Sequence, residues 1–135
     1  MRRLVLGLVA GIAVMGTIGV LSAGAVTSKP VVAVQVDEFS VFPDVQGAPK
    51  GQVRFVVTNV GTIKHEFVVI KTSKPAGNLL KGAEADETGN VGEIGGILPG
   101  QAKTVSLRLP VGHYALICNL PGHYKTGQFA DFYVR

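Results

Sequence analysis

The chain is short of the residues that staple small domains and of those that bind soft metals. Its 135 residues include a single cysteine, Cys118, which excludes an intramolecular disulfide. Both methionines, Met1 and Met15, fall in the first 15 residues, there is no tryptophan, and histidine occurs three times, at 65, 113 and 123. Charge is also sparse. Beyond residue 25, 11 of the 13 basic residues and all 9 acidic ones remain, a formal charge of +2. That is too small and too scattered for a nucleic-acid footprint, so no nucleic-acid partner is expected. No long segment carries a 3.6-residue apolar period, which excludes a helical bundle, and neither a repeat nor a composition break marks a second domain.

What is present begins with Arg2 and Arg3, followed by the apolar run "LVLGLVAGIAVMGTIGVL" from 4 to 21 and then "SAGA". This order is that of an export signal, with cleavage expected after Ala25. The expected division is a signal over 1–25 and one domain over 26–135, placed in the periplasm or outside the cell. The alternative is an uncleaved anchor: 18 residues nearly span a bilayer, and membrane association through 4–21 would hold the domain on the outer face of the cytoplasmic membrane. Gly7, Gly11, Gly16 and Gly19 make that run a poor anchor, and no cysteine lies near the cleavage site to carry a lipid.

Past the signal the chain reads as short strands. "VVAVQV" (31–36), "GQVRFVVTNV" (51–60), "HEFVVIK" (65–71), "KTVSLRL" (103–109), "HYALIC" (113–118) and "QFADFYV" (128–134) are β-branched or alternating, and Gly, Pro and Asn turns separate them. The pattern predicts an all-β, antiparallel sandwich. The stretch "AGNLLKGAEADETG" (76–89) has room for one short helix, but its glycines favour a mobile loop; Glu84, Asp86 and Glu87 gather in it.

One cysteine in an exported protein is either a buried, inert hydrophobe or a thiolate protected by a metal, and composition leaves both open. Its surroundings, "CNLPGHYKTGQ" (118–128), favour the second. Pro121-Gly122 can fold His123 back toward Cys118 at the end of a strand, and His65 opens another strand. Two imidazoles and one thiolate make the trigonal donor set that selects copper and supports one-electron transfer.

The segments "NVGTIKHEF" (59–67) and "YALICNLPGHYKTGQ" (114–128) resemble the two copper-binding segments of the cupredoxins, the blue copper proteins. The likeness runs through "LPGQAKTVSLRLPVGHYALICNLPGHY" (98–124) and is weakest over 72–97. The Cys-x4-His spacing is most similar to the rusticyanin and sulfocyanin ligand loops. The resemblance implies a Greek-key β-sandwich or barrel holding one copper ion, with His65, Cys118 and His123 as equatorial ligands. It departs from the family at Gln128, where the usual weak axial ligand is methionine. An axial glutamine oxygen is stellacyanin-like; the alternative is that Gln128 points away and leaves three ligands. Gln128 shares its face with Ala130, Phe132 and Val134, the apolar side of the last strand, which favours the inward position. His113, five residues before Cys118, falls on the opposite face and reads as a surface or hairpin-end residue.

Asn59 and Asn119 are candidates to pin the two ligand loops together, or simply to stabilise their turns. Backbone amides after Cys118 are candidate donors to its sulfur. Leu120, Pro121 and Gly122 would give an apolar docking surface around His123 for a redox protein such as a cytochrome, an oxidase or a reductase; Tyr124 either joins this surface or packs on the sandwich end. The expected function is an exported, monomeric, mononuclear type 1 copper protein carrying single electrons. The rival is a copper carrier or sequestering protein, disfavoured because no methionine follows residue 15. Three histidines cannot build the additional centres of a multicopper enzyme, so no enzyme is expected.

An amide oxygen is a harder donor than a thioether and favours Cu(II). Gln128→Met is therefore expected to raise the reduction potential of the copper-loaded protein, measured by redox titration; an unchanged or lower value contradicts an axial glutamine.

Overall fold

The computed structural model describes residues 28–135. The expected signal or anchor over 1–25 lies outside the described residues, among which no helix is long and apolar enough to cross a membrane. The described chain contains eleven strands: β1 (Val31–Val36), β2 (Val41–Pro43), β3 (Gly47–Ala48), β4 (Gly51–Asn59), β5 (His65–Lys71), β6 (Leu80–Lys81), β7 (Glu84–Ala85), β8 (Asn90–Ile97), β9 (Ala102–Leu109), β10 (Gly112–Ile117) and β11 (Phe129–Val134). One sheet has the order β2-β1-β4-β9 and the other β3-β11-β10-β5-β8, while β6 and β7 form a separate hairpin.

Alternation in the sequence fixes which side of each strand is buried. Val32, Val34 and Val36 of β1 and Val53, Phe55 and Val57 of β4 face inward, opposite Phe67 and Val69 of β5, Tyr114 and Leu116 of β10, and Phe132 and Val134 of β11. Phe55 is the centre of this interior. Its ring meets Phe67 at 5.4 Å and Phe132 at 5.5 Å, both inclined, the geometry aromatic quadrupoles prefer. The sandwich is not wholly antiparallel as the turn pattern predicts. β1 lies parallel to β4, with Val32 opposite Phe55, and β3 lies parallel to β11. Both parallel contacts arise because the chain changes sheets between β2 and β4, so each segment returns beside a strand that is not its sequence neighbour.

The stretch 76–89, expected to be a loop with room for one short helix, holds a 3-10 turn over Ala76–Asn78 and the β6–β7 hairpin, and leads into β8. Two of its properties hide β8 in the sequence: Gly92, Gly95 and Gly96 break its apolar alternation, and its pairing with β5 carries two register shifts. Residues 76–85 cover the outer face of the second sheet, where Val68, Ile70, Ala115 and Ile117 pack against Ala76, Leu79, Ala85 and Tyr124. This second interior explains why β5 and β10 are apolar on both faces.

Tyr124 closes the cover. Its hydroxyl accepts from the Leu79 amide at 2.9 Å and donates to the Ala76 carbonyl, and the side chain is buried. It therefore packs on the sheet and does not join a docking surface. Tyr124→Phe is expected to cost about 1–3 kcal/mol, the penalty of a buried amide and carbonyl left without their partner, read by denaturant unfolding; a loss near zero would mean the 76–79 turn is held by other contacts.

Candidate metal centre

β5 and β10 are antiparallel neighbours, with Ile117 opposite Val68, so the start of β5 and the end of β10 meet at one pole of the sandwich. His65 is the first residue of β5 and lies on the same inward face as Phe67. Cys118 follows the last residue of β10 on the inward face of Leu116. Both are fully buried.

The Cys118–Gln128 loop returns His123 to the same place through three linked turns. The His123 amide donates to the Leu120 carbonyl at 2.9 Å, with Pro121 and Gly122 at the centre of the turn and Gly122 at φ +82°, the left-handed conformation a type II turn requires. A 3-10 turn over Tyr124–Thr126 ends on Gly127 at φ +103°. The Cys118 amide then donates to the Gln128 carbonyl at 3.1 Å, closing the loop at its base.

The three donor atoms form a triangle. Cys118 Sγ lies 3.8 Å from His65 Nδ1 and 3.4 Å from His123 Nδ1, and the two imidazole nitrogens are 3.2 Å apart. A point equidistant from all three is about 2.0 Å from each, close to the length of a metal–nitrogen bond and somewhat short of a metal–sulfur one. Among the described residues, no other group of histidine, cysteine and acidic side chains has this arrangement. Two imidazole nitrogens and one thiolate sulfur at this spacing are a donor set suited to copper.

Electrostatics suit the triangle to a cation. Burial, and then the neighbouring His123, hold the His65 pKa below its ordinary value, so the ring stays neutral and keeps a lone pair free. Burial pushes the Cys118 thiol pKa up, while amide hydrogen bonds from Glu66 and Leu120 pull it back; the Glu66 N–H lies 3.4 Å from Sγ. One sulfur-bonding amide thus comes from the His65 strand as well as from the loop after Cys118 to which the sequence points.

Gln128 is buried beside His65, and its side chain, a hydrogen-bond partner for the charged ring, raises the His65 pKa against the larger lowering by burial and His123. Its Nε2 donates to the Glu38 carbonyl at 2.8 Å, whereas its Oε1 is buried without a hydrogen-bond partner. A buried amide oxygen left bare is costly, and a metal ion in the triangle is a partner that would satisfy it. His65 Nε2 is likewise buried and unpartnered.

The two asparagines hold the loops separately. Asn59, fully buried, donates to the carbonyls of Ile63 at 2.7 Å and Ile97 at 2.9 Å and accepts from the Gly61 amide, fastening the turn before His65 to β8. Asn119 accepts from the Ala85 amide at 2.7 Å and donates to Glu87, fastening the Cys118 loop to the hairpin. The ties between the two ligand loops are glutamates. Glu66 Oε1 accepts from the Asn119 amide at 3.1 Å. Glu38 Oε1 accepts from the Thr62 amide, from Thr62 Oγ1 at 2.9 Å and from the Ile63 amide at 3.1 Å. Sequence reasoning missed Glu38 because it stands far along the chain from both loops, in no motif. His113 lies on the outer face, as its parity predicts, but is not free on the surface. Its Nδ1 donates to the Thr72 carbonyl at 2.8 Å and its Nε2 lies 2.7 Å from Asp131.

Of the expected docking residues, Pro121 and Gly122 are exposed, while Leu120 is partly buried against the main interior. His123 is the only equatorial candidate with an exposed edge. Phe39 is 72% exposed and Ile63 46% exposed, on the segments that meet the ligand loops.

No family model matches the chain, and neither does any curated protein sequence. Solved structures do resemble it. A dithionite-reduced auracyanin from the photosynthetic bacterium Roseiflexus castenholzii superposes with a TM-score of 0.60 at 22% identity, over 80% of this chain and 98% of that one. Auracyanin A from Chloroflexus aurantiacus, described as a "blue" copper protein, gives 0.55 at 19% identity over 78% and 99%. Rusticyanin from Thiobacillus ferrooxidans gives 0.58 at 19% identity over 80% and 79%.

The hydrogen bonds of Glu38 lower its pKa from 4.5 to about 2, the largest contribution coming from the Thr62 amide. A depressed carboxyl pKa stabilises the fold above the unfolded value and loses that effect as pH falls toward the folded one. The stability deficit of metal-free Glu38→Gln relative to wild type is expected to be constant above pH 4.5 and to shrink between there and about pH 2, followed by thermal unfolding across pH. A deficit independent of pH would contradict an ionised clamp.

Proposed function

The chain has the cupredoxin fold, and on that premise we propose that it is an exported, monomeric, mononuclear type 1 copper protein that carries single electrons between redox proteins. His65, Cys118 and His123 would hold the ion as its close donors, and the Gln128 oxygen would be a fourth, weaker donor. The observation that carries this reading is the donor triangle with the bare Gln128 oxygen beside it. Copper, when bound, supplies a one-electron Cu(II)/Cu(I) couple.

The protein's own contribution is to keep the donors still. His65 stands on a strand paired on both sides, Cys118 is tied at its amide to Gln128, and His123 is set by the Pro121–Gly122 turn. Side chains that move little between oxidation states keep the cost of rearrangement low. The packed interior below the site excludes water from the thiolate. Electrons would pass through the exposed edge of His123, with Pro121, Gly122 and the exposed side of Leu120 against the partner. A carrier that hands over the ion fits less well, because two of the three equatorial donors are fully buried and release would require opening the loop.

Purified protein titrated with Cu(II) is expected to develop an intense thiolate-to-copper band in the red part of the visible spectrum, and Cys118→Ser is expected to abolish it. A wild-type protein that stays colourless would remove the proposal.

A further inference from the structure

We infer that Glu38 is the positioning residue for the fourth donor: it fastens the turn before His65 to the Gln128 side chain and turns the Gln128 amide so that its oxygen is left for the metal. The inference rests on the copper reading above and names a residue outside both ligand segments. Glu38 sits in the short link between β1 and β2, where Asp37 Oδ1 accepts from the Phe39 amide at 2.8 Å and from Ser40 Oγ at 3.0 Å, and the Asp37 amide donates to the Ser40 carbonyl. The link is therefore a fixed point from which Glu38 reaches in two directions.

Its carboxylate reaches the turn that precedes His65. All three hydrogen bonds converge on Oε1, two from the amides of Thr62 and Ile63 and one from the Thr62 hydroxyl. The approach is close enough that a Cβ on Gly61 would stand 2.7 Å from both carboxylate oxygens, so a side chain there would push the Glu38 carboxylate aside. On its other side the turn is held by Asn59.

Its main-chain carbonyl reaches the other ligand loop. It accepts from Gln128 Nε2 at 2.8 Å and from Thr126 Oγ1 at 2.9 Å. A carbonyl can only accept, so it selects the NH2 end of the Gln128 amide and leaves Oε1 on the other side. Nε2 makes one further, longer contact, 3.4 Å to Thr126 Oγ1. Gly127 passes close by, with room for a Cβ only 3.1 Å from the Phe39 carbonyl. If the carboxylate anchor were lost, the link could withdraw, the amide would be free to rotate, and an NH2 group that cannot donate to a metal could replace the oxygen.

The test uses Glu38→Ala, Glu38→Gln, Gln128→Ala and the double variant Glu38→Ala/Gln128→Ala. In metal-free protein the Gln128 side-chain amide protons, followed by NMR, are expected to be shifted and slow to exchange in wild type and to move to free-amide values in Glu38→Ala. In copper-loaded protein, Glu38→Ala is expected to raise the reduction potential in the direction of Gln128→Ala while keeping the thiolate-to-copper band. Glu38→Gln, which retains an acceptor oxygen at the same place, should show a smaller rise and answers the question if the alanine variant does not fold. On the Gln128→Ala background, Glu38→Ala should add no further shift. Unchanged Gln128 signals, an unchanged potential, or an equal shift on both backgrounds would overturn the inference. A wild-type protein with no copper band, but with Gln128 signals that respond to Glu38→Ala, would overturn the copper reading and leave the hold on Gln128 standing.

Discussion

The metal end of the molecule depends on the antiparallel pairing of β5 with β10. That pairing places the first residue of one strand beside the residue after the last of the other, so His65 and Cys118 meet without either loop having to reach. It also brings the Glu66 amide within 3.4 Å of the Cys118 sulfur and the Asn119 amide to the Glu66 carboxylate, so the two strands remain tied beyond the ladder. A register slip of one residue would turn His65 to the outer face and dissolve the site. The register is protected because β5 and β10 are apolar on both sides, and either face would lose an interior by slipping.

Holding the donors in place comes at the expense of buried polar groups, and the fold treats them unequally. Asn59 and Asn119, both buried, are fully engaged with backbone groups of neighbouring segments. The two buried side-chain atoms left without a hydrogen-bond partner among the described residues, His65 Nε2 and Gln128 Oε1, both belong to candidate donor residues. Unsatisfied groups in an otherwise satisfied interior are where a structure carries function in preference to stability. The raised thiol pKa of Cys118 and the lowered pKa of His65 have the same origin, since burial penalises either charge until a cation is present to share it.

The turn chemistry of the Cys118–Gln128 loop is local and was legible: Pro121-Gly122 can only turn, and it turns His123 toward Cys118. The six long strands were legible for the same reason, because period-two alternation needs no partner to be read. β8 was not, since three glycines interrupt its apolar positions and its place is fixed by pairing with β5 instead of by its own sequence. The 76–85 cover was hidden for a related reason. Its few apolar residues make sense only against the outer face of a sheet that the sequence does not draw. Tyr124, two-sided in the sequence, is assigned to that cover by its hydrogen bonds to Ala76 and Leu79.

By itself the sequence determined the strand class and pointed to His65, Cys118, His123 and Gln128 as candidate donors, because each is a property of residue type and short spacing. Only the tertiary structure decided which groups hold those donors. Glu38 stands 24 residues from Thr62 and 90 from Gln128, yet it touches the segments of both. Contacts at such separations follow from how two sheets close on one another, and no pattern within a single strand or turn encodes them.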